Sequence, residues 1–221
     1  MGLLIKICGI NSADAADAAV RAGVDMAGLN FHPKSPRYLR AEQATALASR
    51  LRGKTKLVVV LSDPNDEALA AAIAATKPDF VQLHGAETPT RVAAIGARHG
   101  VAIIKAIAVA DASDLRCAAS YEACADMFLF DAKPPDGAVR EGGHGAAFDW
   151  QILRGFRIAR PWLLAGGLSP DNVARAIKSS GAPGVDVSSG VETAPGAKSA
   201  ELIAKFVASA RNAQFVSEAR Q

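Results

Sequence analysis

Two residues of this chain stand at the ends of apolar runs and could move protons. Cys8 closes LLIKIC (3–8) and is followed by Gly9; Asp131 closes DMFLFD (126–131). A cysteine in such a place reads as a small buried hydrophobe or as a base. Lys6 favours the base, because alternate residues of a strand share a face and place its ammonium beside Cys8, where it would stabilise a thiolate. A lysine turned inward itself needs an anion, and Asp131 or Asp186 could supply one. Asp131 reads alone as a cap or a loop carboxylate, but after MFLF a carboxylate is costly unless it is paired or used.

Three glycine clusters, GGHG (142–145), AGG (165–167) and SSG (188–190), follow the last three apolar runs. Glycine lets backbone N–H groups approach an anion closely, and a following helix adds a favourable dipole. One such cluster is an ordinary turn; three at successive strand ends point to a phosphate. In FHPKSPR (31–37), Arg37 reads as a solvated arginine on a Pro-stiffened loop or as a bidentate clamp for a carboxylate. His84 could line the same mouth or be structural, and Lys105 is expected to face the interior and pair with an acid. His32, His84, His99 and His144 form no HxH or HxxxH pair, so no metal site is expected.

The elements that must position these residues alternate along the whole chain. Strands are predicted at 3–8, 25–31, 56–61, 79–83, 101–107, 126–131, 160–165 and 184–188, each almost continuously apolar, as parallel strands covered on both faces are. Helices are predicted at 12–22, 41–52, 65–76, 87–98, 170–179 and 199–211. Ser12, Asp63 before Pro64, and Ser169 before Pro170 read as helix starts; Gly23, Gly53 and Gly100 fall just past helix ends. Eight such units make an open doubly wound sheet or a closed barrel. The open sheet carries its glycine fingerprint after the first strand, whereas the glycines here gather after the sixth, seventh and eighth, the barrel's habit. A single (β/α)8 barrel of the TIM type is therefore predicted, with its active site at the C-terminal ends of the strands.

The bulk properties agree. A chain of 221 residues suits one such barrel and can bury roughly 70 % of its unfolded surface. The net charge of +3, with scattered Lys and Arg, gives nucleic-acid binding little support and suits a small anionic substrate. Three cysteines without ligand spacing fit a reducing cytosol. No signal peptide is expected, and no apolar stretch is long enough for a membrane span.

KICGI (6–10), FHPKSPR (31–37), VQLHG (81–85), LFDAK (129–133), GGHGAAFDW (142–150), LAGGL (164–168) with Asn172, and GVDVSSGVE (184–192) together resemble the phosphoribosylanthranilate isomerase family of tryptophan biosynthesis. The resemblance implies Cys8 as general base and Asp131 as general acid, with Arg37 on the anthranilate carboxylate and Asp186 lining the substrate pocket. It implies a phosphate cradle of Gly143, Gly145, Gly166, Gly167, Ser189 and Gly190; His84 is taken as a further substrate contact. His144 departs from the small polar residue common in the family.

The implied reaction is a cofactor-free Amadori rearrangement of an aminoaldose to an aminoketose. The expected partner is a small phosphorylated substrate, with no nucleic acid or membrane, in a cytoplasmic monomer or homodimer. Another phosphosugar isomerase or epimerase would usually show metal-binding histidines or a carboxylate after the first strand, which Cys8 argues against. A non-catalytic phosphate-binding barrel would not need both proton-transfer positions. The barrel is placed at 1–211 and a tail at 212–221. The long connection 132–147 is expected to act as a lid over the site.

Overall fold

The computed structural model of the chain describes residues 2–133 and 148–218. Eight parallel strands close on themselves: β1 (Leu4–Cys8), β2 (Met26–Asn30), β3 (Lys56–Leu61), β4 (Phe80–Leu83), β5 (Ala102–Val109), β6 (Met127–Ala132), β7 (Trp162–Leu164) and β8 (Gly184–Val187), with β8 paired back to β1. This is the predicted barrel. The α-helices among the described residues are α1 (Ala13–Arg21), α2 (Ala41–Leu51), α3 (Asp66–Thr76), α4 (Pro89–His99), α5 (Val173–Ser180) and α6 (Ala200–Glu218). After β5 and β6, where no helix is predicted, short 3-10 helices stand at Asp114–Tyr121 and Trp150–Leu153.

The strands are apolar on both faces because both are covered. Cys8, Met26, Val58, Val60, Ile104, Ala106, Met127, Leu129, Leu163 and Ala165 pack inside the barrel. Their neighbours in sequence, such as Ile7, Val59, Ile103 and Phe128, pack outward against the helices. This alternation corrects the placement of Lys105, which lies between the inward Ile104 and Ala106 and so turns outward. Its acid is Glu87, which accepts from Lys105 Nζ at 2.8 Å. The same ammonium donates to the carbonyls of Leu83 and Gly85, while Glu87 accepts from the N–H groups of Asp63 and Gly85. One buried ion pair thus fixes the backbone on either side of His84.

The opposite end of the barrel is tied by a repeated device. Asp25, Asp79 and Asp126 precede β2, β4 and β6. Each carboxylate accepts at 2.8 Å from the N–H of Ile5, Leu57 or Ile103 on the strand before, and each Asp N–H returns a bond to the same residue's carbonyl.

Local signals were partly misread. Ser12 caps α1 as predicted, but α3 is capped by Asn65, which accepts from Ala68 N at 2.8 Å. Asp63 lies earlier, at φ 43°. Ser169 does not cap α5 either. Asn172 accepts from Ser169 N and donates to Gly167 O, tying down the turn after β7. α6 does not stop at 211 but runs to Glu218, with Ala213 buried. A hairpin absent from the sequence reading, β9 (Glu192–Ala194) and β10 (Ala197–Lys198), stands between β8 and α6. Gly142, Gly143, His144, Gly145 and most of the proposed lid lie outside the described residues.

Candidate active site

At the C-terminal end of β1, Cys8 is in register with Gly28 of β2. A Cβ on residue 28 would lie 3.1 Å from Cys8 Sγ and 3.2 Å from Cys8 Cα, so only glycine gives the thiol its room. Lys6, one pleat below and fully buried, is in register with Asp186 of β8 and donates to its Oδ1 at 3.0 Å. Of the two anions expected for Lys6, Asp186 is the partner. Burial works against the ammonium, but Asp186 and Cys8 outweigh it and hold the Lys6 pKa above its ordinary value. Burial pushes the Cys8 thiol up, with Lys6 acting in the opposite direction.

Three strands around the ring from β1, Asp131 is 8 % exposed. Its Oδ1 accepts from Ala132 N at 2.9 Å, and its Oδ2 lies 3.3 Å from His84 Nε2. His84 Nδ1 in turn meets Gln82 Nε2 at 3.0 Å. Gln82 is fully buried. Its Oε1 has no partner among the described residues. In that orientation Gln82 is the donor, which leaves the His84 proton on Nε2, pointed at Asp131. The alternation VQLH already places Gln82 on the same face as His84; a buried amide among apolar neighbours was the signal missed.

Arg37 is neither solvated nor free. It is 5 % exposed, and its Nε and Nη2 donate to the two oxygens of Glu192 at 2.6 and 2.7 Å. Among the described residues, Nη1 alone of its nitrogens has no protein acceptor. The Arg37 stem crosses directly over Gly9, where φ is 76° and a Cβ would collide with Arg37 Cδ; this brings the guanidinium to the mouth beside Cys8. Glu192 also accepts from Lys198 Nζ at 2.7 Å, and that ammonium donates to Ser188 O at 2.8 Å and Ser188 Oγ at 3.2 Å. Ser188 Oγ donates to Cys8 O at 3.1 Å. Glu192 and Lys198 were not singled out in the sequence, because nothing there shows that a short hairpin folds them back into the mouth.

The loops after β7 and β8 interlock through their glycines. A Cβ on Gly190 would collide with Leu168 O, and one on Gly166 would lie 2.7 Å from Ala132 N. Ser189 and Gly190 open a short 3-10 turn, Ser189–Val191. The N–H groups of Gly167 and Gly190 have no acceptor among the described residues. Close backbones with free donors can hold an anion. The arrangement thus gathers a buried thiol beside an ammonium, a carboxyl held at both oxygens, a partly engaged arginine, and free amides around one mouth.

A family model described as N-(5'phosphoribosyl)anthranilate (PRA) isomerase matches residues 5–209. The N-(5'-phosphoribosyl)anthranilate isomerase of Paracoccus denitrificans (strain Pd 1222) is 50 % identical over 210 residues, 95 % of this chain and 98 % of the relative. That of Paramagnetospirillum magneticum is 47 % identical, over 96 % and 98 %. The crystal structure of phosphoribosyl anthranilate isomerase from Thermotoga maritima superposes with a TM-score of 0.85 at 34 % identity, over 95 % of this chain and 99 % of that one. A phosphoribosyl anthranilate isomerase in complex with reduced 1-(o-carboxyphenylamino)-1-deoxyribulose 5-phosphate superposes with a TM-score of 0.81 at 32 % identity, over 95 % and 99 %.

Proposed function

The chain belongs to the N-(5'-phosphoribosyl)anthranilate isomerase family, and from that premise we infer how its residues divide the reaction. It is an aldose–ketose isomerase of tryptophan biosynthesis. It converts N-(5'-phosphoribosyl)anthranilate to 1-(2-carboxyphenylamino)-1-deoxyribulose 5-phosphate, the ketose amine whose reduced form is named in the related complex.

The rearrangement needs an acid and a base in one pocket. In this reading Asp131 protonates the furanose ring oxygen, and the C1'–O bond breaks as the anthranilate nitrogen forms a Schiff base. Cys8, as thiolate, removes the C2' proton; the C2'–H electron pair forms the C1'=C2' bond as the C1'=N π pair withdraws onto nitrogen, giving an enolamine, which tautomerises to the ketone. Ala132 N–H and His84 hold Asp131, and the Lys6 ammonium sits beside Cys8. Arg37 Nη1 is assigned to the anthranilate carboxylate, and the second oxygen of Asp186, which has no partner among the described residues, to a substrate hydroxyl. Gly166, Gly167, Ser189 and Gly190 are assigned to the phosphate.

The observation that carries this reading is the position of Cys8 beside an ammonium already matched by Asp186: the ion pair needs no thiolate to balance it, and the thiol can cycle between its two forms. Turnover of freshly made substrate, followed by loss of its fluorescence, tests it. Cys8→Ala should lose roughly 10²–10⁴-fold in kcat with affinity little changed; near-full turnover would remove Cys8 from the mechanism. No described helix is long and apolar enough to cross a membrane. A cytoplasmic enzyme, monomeric or homodimeric, completes the reading.

A further inference from the structure

Among the described residues, the charges on the Arg37 side of Cys8 do not balance. Lys6 on β1 is matched by Asp186 on β8, and Asp131, three strands away on β6, is held by the Ala132 N–H and the neutral His84 and not by a cation. The remaining group is Arg37 from the β2–α2 loop, Glu192 on β9 and Lys198 on β10. It holds two cations and one carboxylate, with side-chain exposures of 6, 4 and 0 %. Glu192 Oε1 accepts from both Arg37 Nε and Lys198 Nζ, so it cannot fully neutralise either. A buried cation without a counterion is costly, and a fold keeps one where an anion will meet it.

We propose that Lys198 is a positioning residue for the base: its buried ammonium, fixed on Ser188 and sharing Glu192 with Arg37, keeps beside Cys8 one positive charge more than Glu192 can match. The geometry sets this up in two steps. Lys198 donates to both oxygens of Ser188, and Ser188 Oγ donates to the carbonyl of Cys8 itself, so the hairpin that carries Lys198 is pinned to the strand end that carries the thiol. The excess charge answers the main obstacle to a cysteine base here, since burial and the Asp186 carboxylate push the Cys8 thiol up, and Lys6, Lys198 and Arg37 act against that. Lys198 in turn feels Cys8: burial holds its own pKa down, while Glu192 and Cys8 favour its charge. Lys198 touches no substrate in this account; it acts through Ser188 and the field. The proposal rests on the reading of Cys8 as the base.

The test reads the thiolate directly. The full-length enzyme is treated with iodoacetamide across a pH series, and the alkylated Cys8 peptide is quantified by mass spectrometry; exposed Cys117 serves as the internal control. Lys198→Met should move the midpoint of Cys8 alkylation up by about one pH unit and the acid limb of kcat/KM in the same direction. Lys198→Arg should restore most of it. Glu192→Gln removes the anion instead of a cation and should move the midpoint down. A merely structural role would move both variants the same way, and that result, or an unmoved midpoint, overturns the proposal. If Lys198→Met does not fold, Glu192→Gln decides: a downward shift supports the proposal, and an unmoved or raised midpoint overturns it. Full turnover by Cys8→Ala would defeat the reading of Cys8 as base, whereas unmoved midpoints in an enzyme that Cys8→Ala abolishes would defeat the role of Lys198 alone.

Discussion

His84 Nε2 lies 3.3 Å from Asp131 Oδ2, and Gln82 meets the other ring nitrogen at 3.0 Å. The imidazole is therefore held between a strand neighbour and the proposed acid, and its main effect should be on the chemical step. His84→Ala is expected to lower kcat by about tenfold, the worth of one well-placed hydrogen bond, with KM within about twofold. A steady-state assay separates the cases: a rise in KM at constant kcat would make His84 a substrate contact instead.

Gly28 supplies the space that Cys8 occupies. In Gly28→Ala the new Cβ would lie 3.1 Å from Sγ and 3.2 Å from the Cys8 backbone. The neighbour must shift in a packed interior, at about 1–3 kcal/mol. Thermal unfolding should show that loss, and kcat should fall by about tenfold or more because the base is displaced. An unchanged kcat would mean that the thiol position tolerates movement.

Arg37 is expected to discriminate by the substrate's carboxylate. Arg37→Ala should weaken binding of a carboxylated product analogue by about 1.5–3 kcal/mol; an analogue without that carboxylate should lose much less. Stability should fall by less than the usual cost of breaking a buried ion pair, because Glu192 keeps Lys198. Calorimetric titration of both ligands checks the first expectation. Equal losses on the two would assign Arg37 to packing.

At the far end of the barrel, Asp79 accepts from Leu57 N and Lys56 Nζ. Partial burial opposes its charge, but the Lys56 ammonium and the Leu57 N–H outweigh it and hold its pKa below the usual carboxylate value. The folded state therefore binds the proton less readily than the unfolded state. The resulting stability is present above the ordinary carboxylate pKa and is lost as pH falls through the lower, folded one. Asp79→Asn should cost about 1 kcal/mol near neutral pH, a modest value because the site is partly exposed. Urea unfolding should show the gap to the parent closing below about pH 4. A gap independent of pH would mean that the charge contributes nothing.

The barrel was legible because each strand is apolar on both faces, and a closed parallel sheet is what such runs form. The acid, the base and the Lys6–Asp186 pair could be approached for the same reason: strand ends and pleat alternation follow from local pattern. Lys105 failed that test only because the inward set of its strand was assigned one residue out. Glu192 and Lys198 were not legible, since their role depends on a short hairpin returning to the mouth and on Arg37 crossing Gly9, contacts between distant parts of the chain. Asp63 and Ser169 were misread as caps because residues that can cap a helix serve equally in the turn before it.

The most direct measurement of the central claim uses substrate deuterated at C2', with the isotope effect on turnover compared in the parent, Cys8→Ala and Asp131→Asn. If Cys8 removes the C2' proton and Asp131 opens the ring, the Cys8 variant should show the full primary effect, because proton removal then limits the rate. The Asp131 variant should show almost none, because ring opening limits instead. A full effect in Asp131→Asn, together with none in Cys8→Ala, would contradict the assignment of the two roles.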